Sequence, residues 1–231
     1  MNRCCSVVLL CLIMMFCIAC VSTQSNQLKI QQLAEHGDAG AQYDLGWKYF
    51  KGEGVPKDDV QAVAWFRKAA DQGHANAQYI ISITYHYGQG GLAKDDVQAV
   101  MWLRKAADQG HSRAQYKLAW MYAYGEEGLA KDDIQAVAWF RKAADQGDAD
   151  AQYTLGAMYG LGKGVAMDVV QSYMWIELAA NQGHAKAIDA RKKITEVLTT
   201  SQIEEGQRLS REWSAAHHKS NGQLELELRR F

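Results

Sequence analysis

Residues Asp58 to Gly73 read DDVQAVAWFRKAADQG, and residues Asp132 to Gly147 read DDIQAVAWFRKAADQG, a second copy altered only at Ile134. A further version, DDVQAVMWLRKAADQG, lies between them from Asp95 to Gly110. Working outward, the tripeptide Ala-Gln-Tyr begins at Ala41, Ala77, Ala114 and Ala151, and a glycine closes successive units at Gly37, Gly73, Gly110, Gly147 and Gly183. A register held over that span marks a repeat architecture. Each unit is too short to bury its apolar surface alone and must stack on its neighbours.

The quoted stretch predicts one helix. Asp58, Asp95, Asp132 and Asp168 stand where an N-cap belongs, and Gln61, Gln98, Gln135 and Gln171 follow at capping-box spacing. Ala62, Trp65, Phe66 and Ala69 form an i, i+3, i+4, i+7 stripe, and Trp102, Trp139 and Trp175 repeat the aromatic position, which makes these tryptophans core or near-core. The closing glycines suit C′ positions. A first helix precedes it, with Ala41, Leu45 and Tyr49 on one face and the same face at Ala77, Ala114 and Ala151. Beside that face a small residue recurs (Gly46, Ser82, Ala119, Gly156), as a close helix crossing requires. Glycines such as Gly52 and Gly54 then break the helix.

Composition narrows the function. The chain has 231 residues, Lys+Arg 25 against Asp+Glu 26, 48% hydrophobic content and a single proline. Balanced charge argues against nucleic acid as a partner, since phosphate binding needs a basic surplus. The five cysteines, Cys4, Cys5, Cys11, Cys17 and Cys20, all precede the repeats, so no disulfide framework holds the fold. Arg3, an apolar run ending near Ala19 and a polar Ser22 to Asn26 are the parts of a secretory signal. The run falls short of the roughly 20 apolar residues of a spanning helix. Cys17-Ile18-Ala19-Cys20 resembles a bacterial lipobox, with Cys17 where leucine is usual. Lipidation at Cys20 is the favoured reading, ahead of simple cleavage and of a retained anchor.

The expected organisation is a signal over 1–20, a linker over 21–27 and an N-terminal capping half-repeat over 28–37. Four repeats follow at 38–73, 74–110, 111–147 and 148–183, then C-terminal capping helices over 184–213 and a disordered tail over 214–231.

The pattern Ala-x-Ala-Gln-Tyr-x-Leu-Gly-x-x-Tyr-x-x-Gly-x-Gly-Val-x-x-Asp, followed by Ala-x-x-Trp-x-x-Lys-Ala-Ala-x-Gln-Gly, resembles the Sel-one-like repeat (SLR), a relative of the tetratricopeptide repeat. The segment Tyr173 to Ala180, with Leu198 to Ile203 and Leu209 to Trp213, looks like the ending of secreted bacterial members. The resemblance implies an all-α, right-handed α/α superhelical solenoid that acts as an adaptor for other proteins, with no catalytic residues or cofactors to carry over. Some cysteine-rich members are linked to β-lactam hydrolysis, but they carry a cysteine pair in each repeat that this chain lacks.

The residues themselves offer little chemistry. No H-E-x-x-H, G-x-S-x-G, C-x-x-C or phosphate-loop motif occurs. Gly160 to Gly164 reads as the inter-helix turn rather than a phosphate cradle, and the Asp58-Asp59, Asp95-Asp96 and Asp132-Asp133 pairs read as helix caps rather than paired acids. His36, His74, His111 and His184 recur near unit boundaries as cap-region residues, not metal ligands, and His217-His218 reads as a solvated pair. First-helix positions that vary between units are free of the shared packing rule. The resemblance puts first helices on the concave side, so Trp47, Tyr87, Trp120 and Tyr124 are the candidate contact residues, with packing between units as the competing role. Beyond the repeats, Ser201 to Trp213 predicts one amphipathic helix, and Leu224 to Leu228 alternates like a strand with nothing to pair.

The expected function is a non-enzymatic, monomeric scaffold in a bacterial envelope that binds a protein or peptide partner and meets the membrane only through a lipid at Cys20. A cell-wall or β-lactam hydrolase and a secreted factor that binds host proteins are the alternatives.

Overall fold

The computed structural model describes residues 27–126 and 128–228, with side chains to 217. The signal, the lipobox and Cys20 therefore lie outside the described residues. A first helix, α1, covers 27–35. The repeats supply α2 (Ala39–Lys51), α3 (Asp59–Asp71), α4 (Ala75–Tyr87), α5 (Asp96–Asp108), α6 (Ser112–Tyr124), α7 (Asp133–Asp145), α8 (Ala149–Leu161) and α9 (Val169–Asn181), and the chain continues into α10 (Ala185–Thr195) and α11 (Thr200–Leu228). No strand occurs among the described residues. They fall into two units, one ending at Ala106 and the other starting at Ala107, with the boundary inside α5.

Helix starts follow the predicted aspartates. Asp58 accepts from the backbone N–H of Val60 and Gln61 at 2.9 and 3.0 Å, and Asp132 and Asp168 cap α7 and α9 in the same way. The reciprocal half of a capping box is replaced. The N–H of Asp58 goes to the carbonyl of Tyr49 at 3.0 Å, and Asp132 and Asp168 donate to Tyr122 and Tyr159 at 2.8 and 3.0 Å. Each cap thus ties a second helix to the end of the first, and leaves Gln61 exposed. The second aspartates have their own work. Lys57 reaches Asp59 at 3.7 Å, Lys94 reaches Asp96 at 3.3 Å and Lys131 reaches Asp133 at 3.7 Å. In the fourth repeat Met167 and Val169 replace both partners together.

Stacking is carried by glutamine. Gln42 donates its amide to the carbonyl of Ala34, and Gln78, Gln115 and Gln152 donate to Ala70, Ala107 and Ala144, all at 3.0–3.1 Å. The glutamine before the closing glycine completes the ladder: Gln72 donates to Gln42 at 2.7 Å, Gln146 to Gln115 at 2.7 Å and Gln182 to Gln152 at 2.8 Å. Burying these amides is tolerable because each is satisfied. A second rung joins arginine, tyrosine and tryptophan. Arg67 on α3 donates to the Tyr85 hydroxyl on α4 at 2.7 Å and lies 4.9 Å from the Trp102 ring on α5. Arg141, Tyr159 and Trp175 repeat this arrangement, the arginine 5.3 Å from the indole.

The crossings inside a repeat need the small residues that the pattern placed there. A Cβ on Gly46 would stand 2.6 Å from the Phe66 ring, and one on Gly156 would stand 2.8 Å from Ile176. Trp102, Trp139 and Trp175 are buried, while Trp65 is half-buried beneath Lys68.

At the C-terminal end, α10 repeats a first-helix start and Arg191 pairs with Glu177 at 3.2 Å. Helix α11 packs along α9. Gly206 allows the approach, because a Cβ there would stand 2.7 Å from Tyr173, and the Trp213 and Trp175 rings meet edge-to-face at 5.9 Å. The helix runs past Trp213 to Leu228, through the stretch expected to be disordered. No proline interrupts it, and Ala215, Ala216 and the Leu/Glu run are good helix formers, so alternation in that run does not make a strand.

The histidine caps couple the fold to pH. His74, His111 and His184 accept at Nδ1 from the N–H of Ala77, Ala114 and Ala187, where repeats one and four use Asp38 and Asp148. Only a neutral imidazole can accept there. Burial holds His74 and His111 below the ordinary histidine value. A depressed folded value means that the caps contribute fully above the unfolded pKa of about 6.5 and are lost as pH falls through the folded values. Denaturation at pH 7.5 and 5.5 should show the His74→Asp/His111→Asp variant losing less stability than wild type, by roughly 0.5 kcal/mol per cap at these partly solvated sites. Identical losses in both proteins would refute the cap assignment.

Candidate functional site

The four candidate aromatics divide by helix position. Trp47 and Trp120 occupy the same place in α2 and α6, and both are half-buried. Trp47 meets Phe66 edge-on at 5.4 Å, and Trp120 meets Phe140 edge-on at 5.3 Å. Each indole therefore helps join the two helices of its own repeat. These ring contacts lie within a repeat, and Trp47 also borders a cluster that reaches into the second repeat at Ala77 and Ile81. Tyr87 and Tyr124 are the last residues of α4 and α6 and stand 63% and 62% exposed. Tyr124 stacks on Trp120 at 5.3 Å with nearly parallel rings, and Lys163 lies 6.0 Å over it. The structure brings Trp120 and Tyr124 together as one plate, while Trp47 meets Phe50 and Tyr43 edge-to-face.

A groove of about 480 Å³ lies beside Trp47, between α2, α3 and α4. Phe50, Phe66, Ile80 and Ile83 line it with Trp47, and Lys57 and Asp59 stand at its rim. Ile80 and Ile83 stand at first-helix positions that vary between units, and sequence reasoning did not single them out. The available signal was that both are branched apolar residues where other repeats carry Lys117, Thr154 or Ala157. Phe50 was missed because an aromatic at a turn looks incidental in a linear reading.

The other chemistry-bearing residues take structural positions. Gly162 is the left-handed C-cap of α8, Gly164 lies against the carbonyl of Asp133, and Lys163 pairs with Asp133 at 3.5 Å. His36 bonds the Gln32 carbonyl, and His217 stacks on Trp213 and bonds its carbonyl. Among the described residues, no group of three or more His, Cys, Asp or Glu is placed to hold a metal, and no helix is long and apolar enough to cross a membrane.

Comparison with known proteins agrees with this geometry. The Sel1 repeat profile matches residues 39–74, 75–111, 112–148 and 149–184. A Sel1 repeat protein from Oxalobacter formigenes is 38% identical, with a TM-score of 0.70, over 73% of this chain and 48% of that one. A protective antigen of uropathogenic Escherichia coli with an SLR fold is 30% identical, with a TM-score of 0.55, over 81% of this chain and 48% of its own. The secretory immunoglobulin A-binding protein of Escherichia coli is 48% identical over 44 residues, 19% of this chain and 9% of that protein. The chain spans about half the length of the two solved relatives, and far less of the third.

Proposed function

The chain belongs to the Sel1 repeat family, and from that premise we propose that it is a non-enzymatic scaffold that binds a protein or peptide partner through its first-helix side. The fold is an all-α solenoid of Sel1-like repeats, and proteins built from such repeats serve as protein-interaction scaffolds. The observation that carries the assignment to a face is the exposure of Tyr87 and Tyr124 at one equivalent helix end, where the remaining repeats carry Lys51 and Leu161. Broad, rigid rings at an exposed edge are the kind of anchor that binding hot spots use. Trp120 supports Tyr124 from beneath, and Trp47 sits beside the groove.

The test is capture of a partner from envelope extract, compared between wild type and Tyr87→Ala/Tyr124→Ala. The variant should keep its helical circular dichroism and lose the partner. Retained capture would place recognition elsewhere.

The proposed location is the bacterial envelope, through lipid on Cys20. Cys20→Ser should abolish fatty-acid labelling and release the protein from membranes, and unchanged fractionation would remove the anchor from the account. A second reading, a secreted factor that binds a host protein, draws on the immunoglobulin-binding relative.

A further inference from the structure

The groove between α2, α3 and α4 is bulkier and more apolar at Phe50, Ile80 and Ile83 than the fourth repeat is at the same positions. At the position of Phe50 the third and fourth repeats carry Ala123 and Gly160. At the positions of Ile80 and Ile83 they carry Lys117 and Trp120, then Thr154 and Ala157. Stacking does not demand this bulk, because the glutamine ladder and the arginine rung recur without it. Phe50 is left 46% exposed at the mouth, and the cavity of about 480 Å³ holds more than one side chain.

Its charges are already matched. Lys57 pairs with Asp59 at 3.7 Å and lies 5.7 Å over the Phe50 ring. Lys51 pairs with Glu53 at 3.7 Å and lies 5.8 Å over the Trp47 ring. Lys57, in the lining, already lies over the Phe50 ring, and Lys51, just outside it, over the Trp47 ring, while an anion in the groove would have to compete with Asp59 for Lys57. Neither sign of charge gains on entry. Gln89 at the mouth presents a carboxamide, which can both donate to and accept from a peptide backbone.

We propose that this groove is a peptide subsite that takes two apolar side chains from an uncharged segment of the partner. This rests on the reading of the protein as a peptide-binding scaffold and names the chemistry that one part of it selects.

The test follows the isoleucine methyl resonances of the full chain during titration with an N-acetylated, C-amidated peptide, GSFSLSG. Saturable shifts are expected at Ile80 and Ile83, with binding at least tenfold weaker for GSKSLSG and GSESLSG. Ile83→Asp should abolish saturation, whereas Ile134→Asp, on the exposed start of α7, should not. If Ile83→Asp perturbs the remaining methyls, Ile83→Thr should still weaken binding at least threefold. Equal affinity for the charged peptides, or shifts confined to other isoleucines, would overturn the proposal. So would saturation of these methyls by the alkyl chain of dodecyl maltoside with none by the peptide. Loss of the partner in the Tyr87→Ala/Tyr124→Ala variant alongside a silent groove would remove the subsite and leave the scaffold reading intact. Peptide binding here with partner capture indifferent to both sets of substitutions would do the reverse.

Discussion

Trp102→Ala is expected to cost about 3–5 kcal/mol of stability, the scale of a large aromatic deletion in a packed core. Trp102 lies in the cluster formed by Ala62, Phe66, Ala69, Ala70, Ala77 and Ile81, so its removal from α5 opens a cavity among residues of α3 and α4. It also removes the surface over which Arg67 and Lys105 sit, at 4.9 and 4.2 Å from the ring. The indole N–H has no hydrogen-bond partner, so Trp102→Phe should recover most of the loss. Trp213→Ala should cost less than Trp102→Ala, because Trp213 is half-buried on a helix at the end of the stack. Urea denaturation of the three variants checks the order. Equal losses at Trp102 and Trp213 would mean that α11 is as much part of the core as the repeats.

Gln152→Leu is expected to cost about 1–3 kcal/mol although it exchanges a polar residue for an apolar one of similar size. Gln152 is fully buried, donates to the Ala144 carbonyl and accepts from Gln182. Leucine would remove one bond accepted by the buried Ala144 carbonyl, which also accepts from the Gly147 N–H, and would release the exposed Gln182 amide to water, so two hydrogen bonds are lost. The control is Gln61→Leu at the exposed start of α3, which should change stability by less than about 0.5 kcal/mol. The same denaturation measurement separates the two positions. A loss at Gln61 comparable to that at Gln152 would restore the capping box and demote the ladder.

That pair of glutamines shows how far the sequence could be read. Periodicity found the helices, because alanine, leucine and tryptophan at helical spacing report which side faces inward. Gly46 and Gly156 were legible for a related reason: a residue held small in one register implies a close neighbour. The glutamines of Ala-Gln-Tyr and Asp-Gln-Gly recur just as strictly, yet their partners lie 8 residues back across a turn or 30 to 31 residues away, and no helical spacing encodes a bond of either range. Gln61 was legible in the wrong sense, since its spacing suits a cap that the Tyr49 carbonyl already satisfies. The stretch after Trp213 read as loose because its composition is polar, whereas its backbone is helical to Leu228.

The candidate site was legible in part. Variation between repeats pointed to Tyr87 and Tyr124, and the structure exposes both. The same argument pointed to Trp47 and Trp120, whose edges contact Phe66 and Phe140. An aromatic absent from half of the repeats can still pack in those that have it. The groove stayed hidden because three helices build it, and among its wall residues Trp47 alone was a candidate contact in one dimension.

The central claim is that the exposed tyrosines at the ends of α4 and α6, each in its own unit, are partner-contact residues of this scaffold. The most direct measurement is the dissociation constant of the captured partner for wild type and for Tyr87→Ala/Tyr124→Ala, with circular dichroism recorded on the same samples. The account predicts unchanged helicity and a loss of more than about 2 kcal/mol, or roughly thirtyfold in affinity. An unchanged dissociation constant in a folded variant would contradict it.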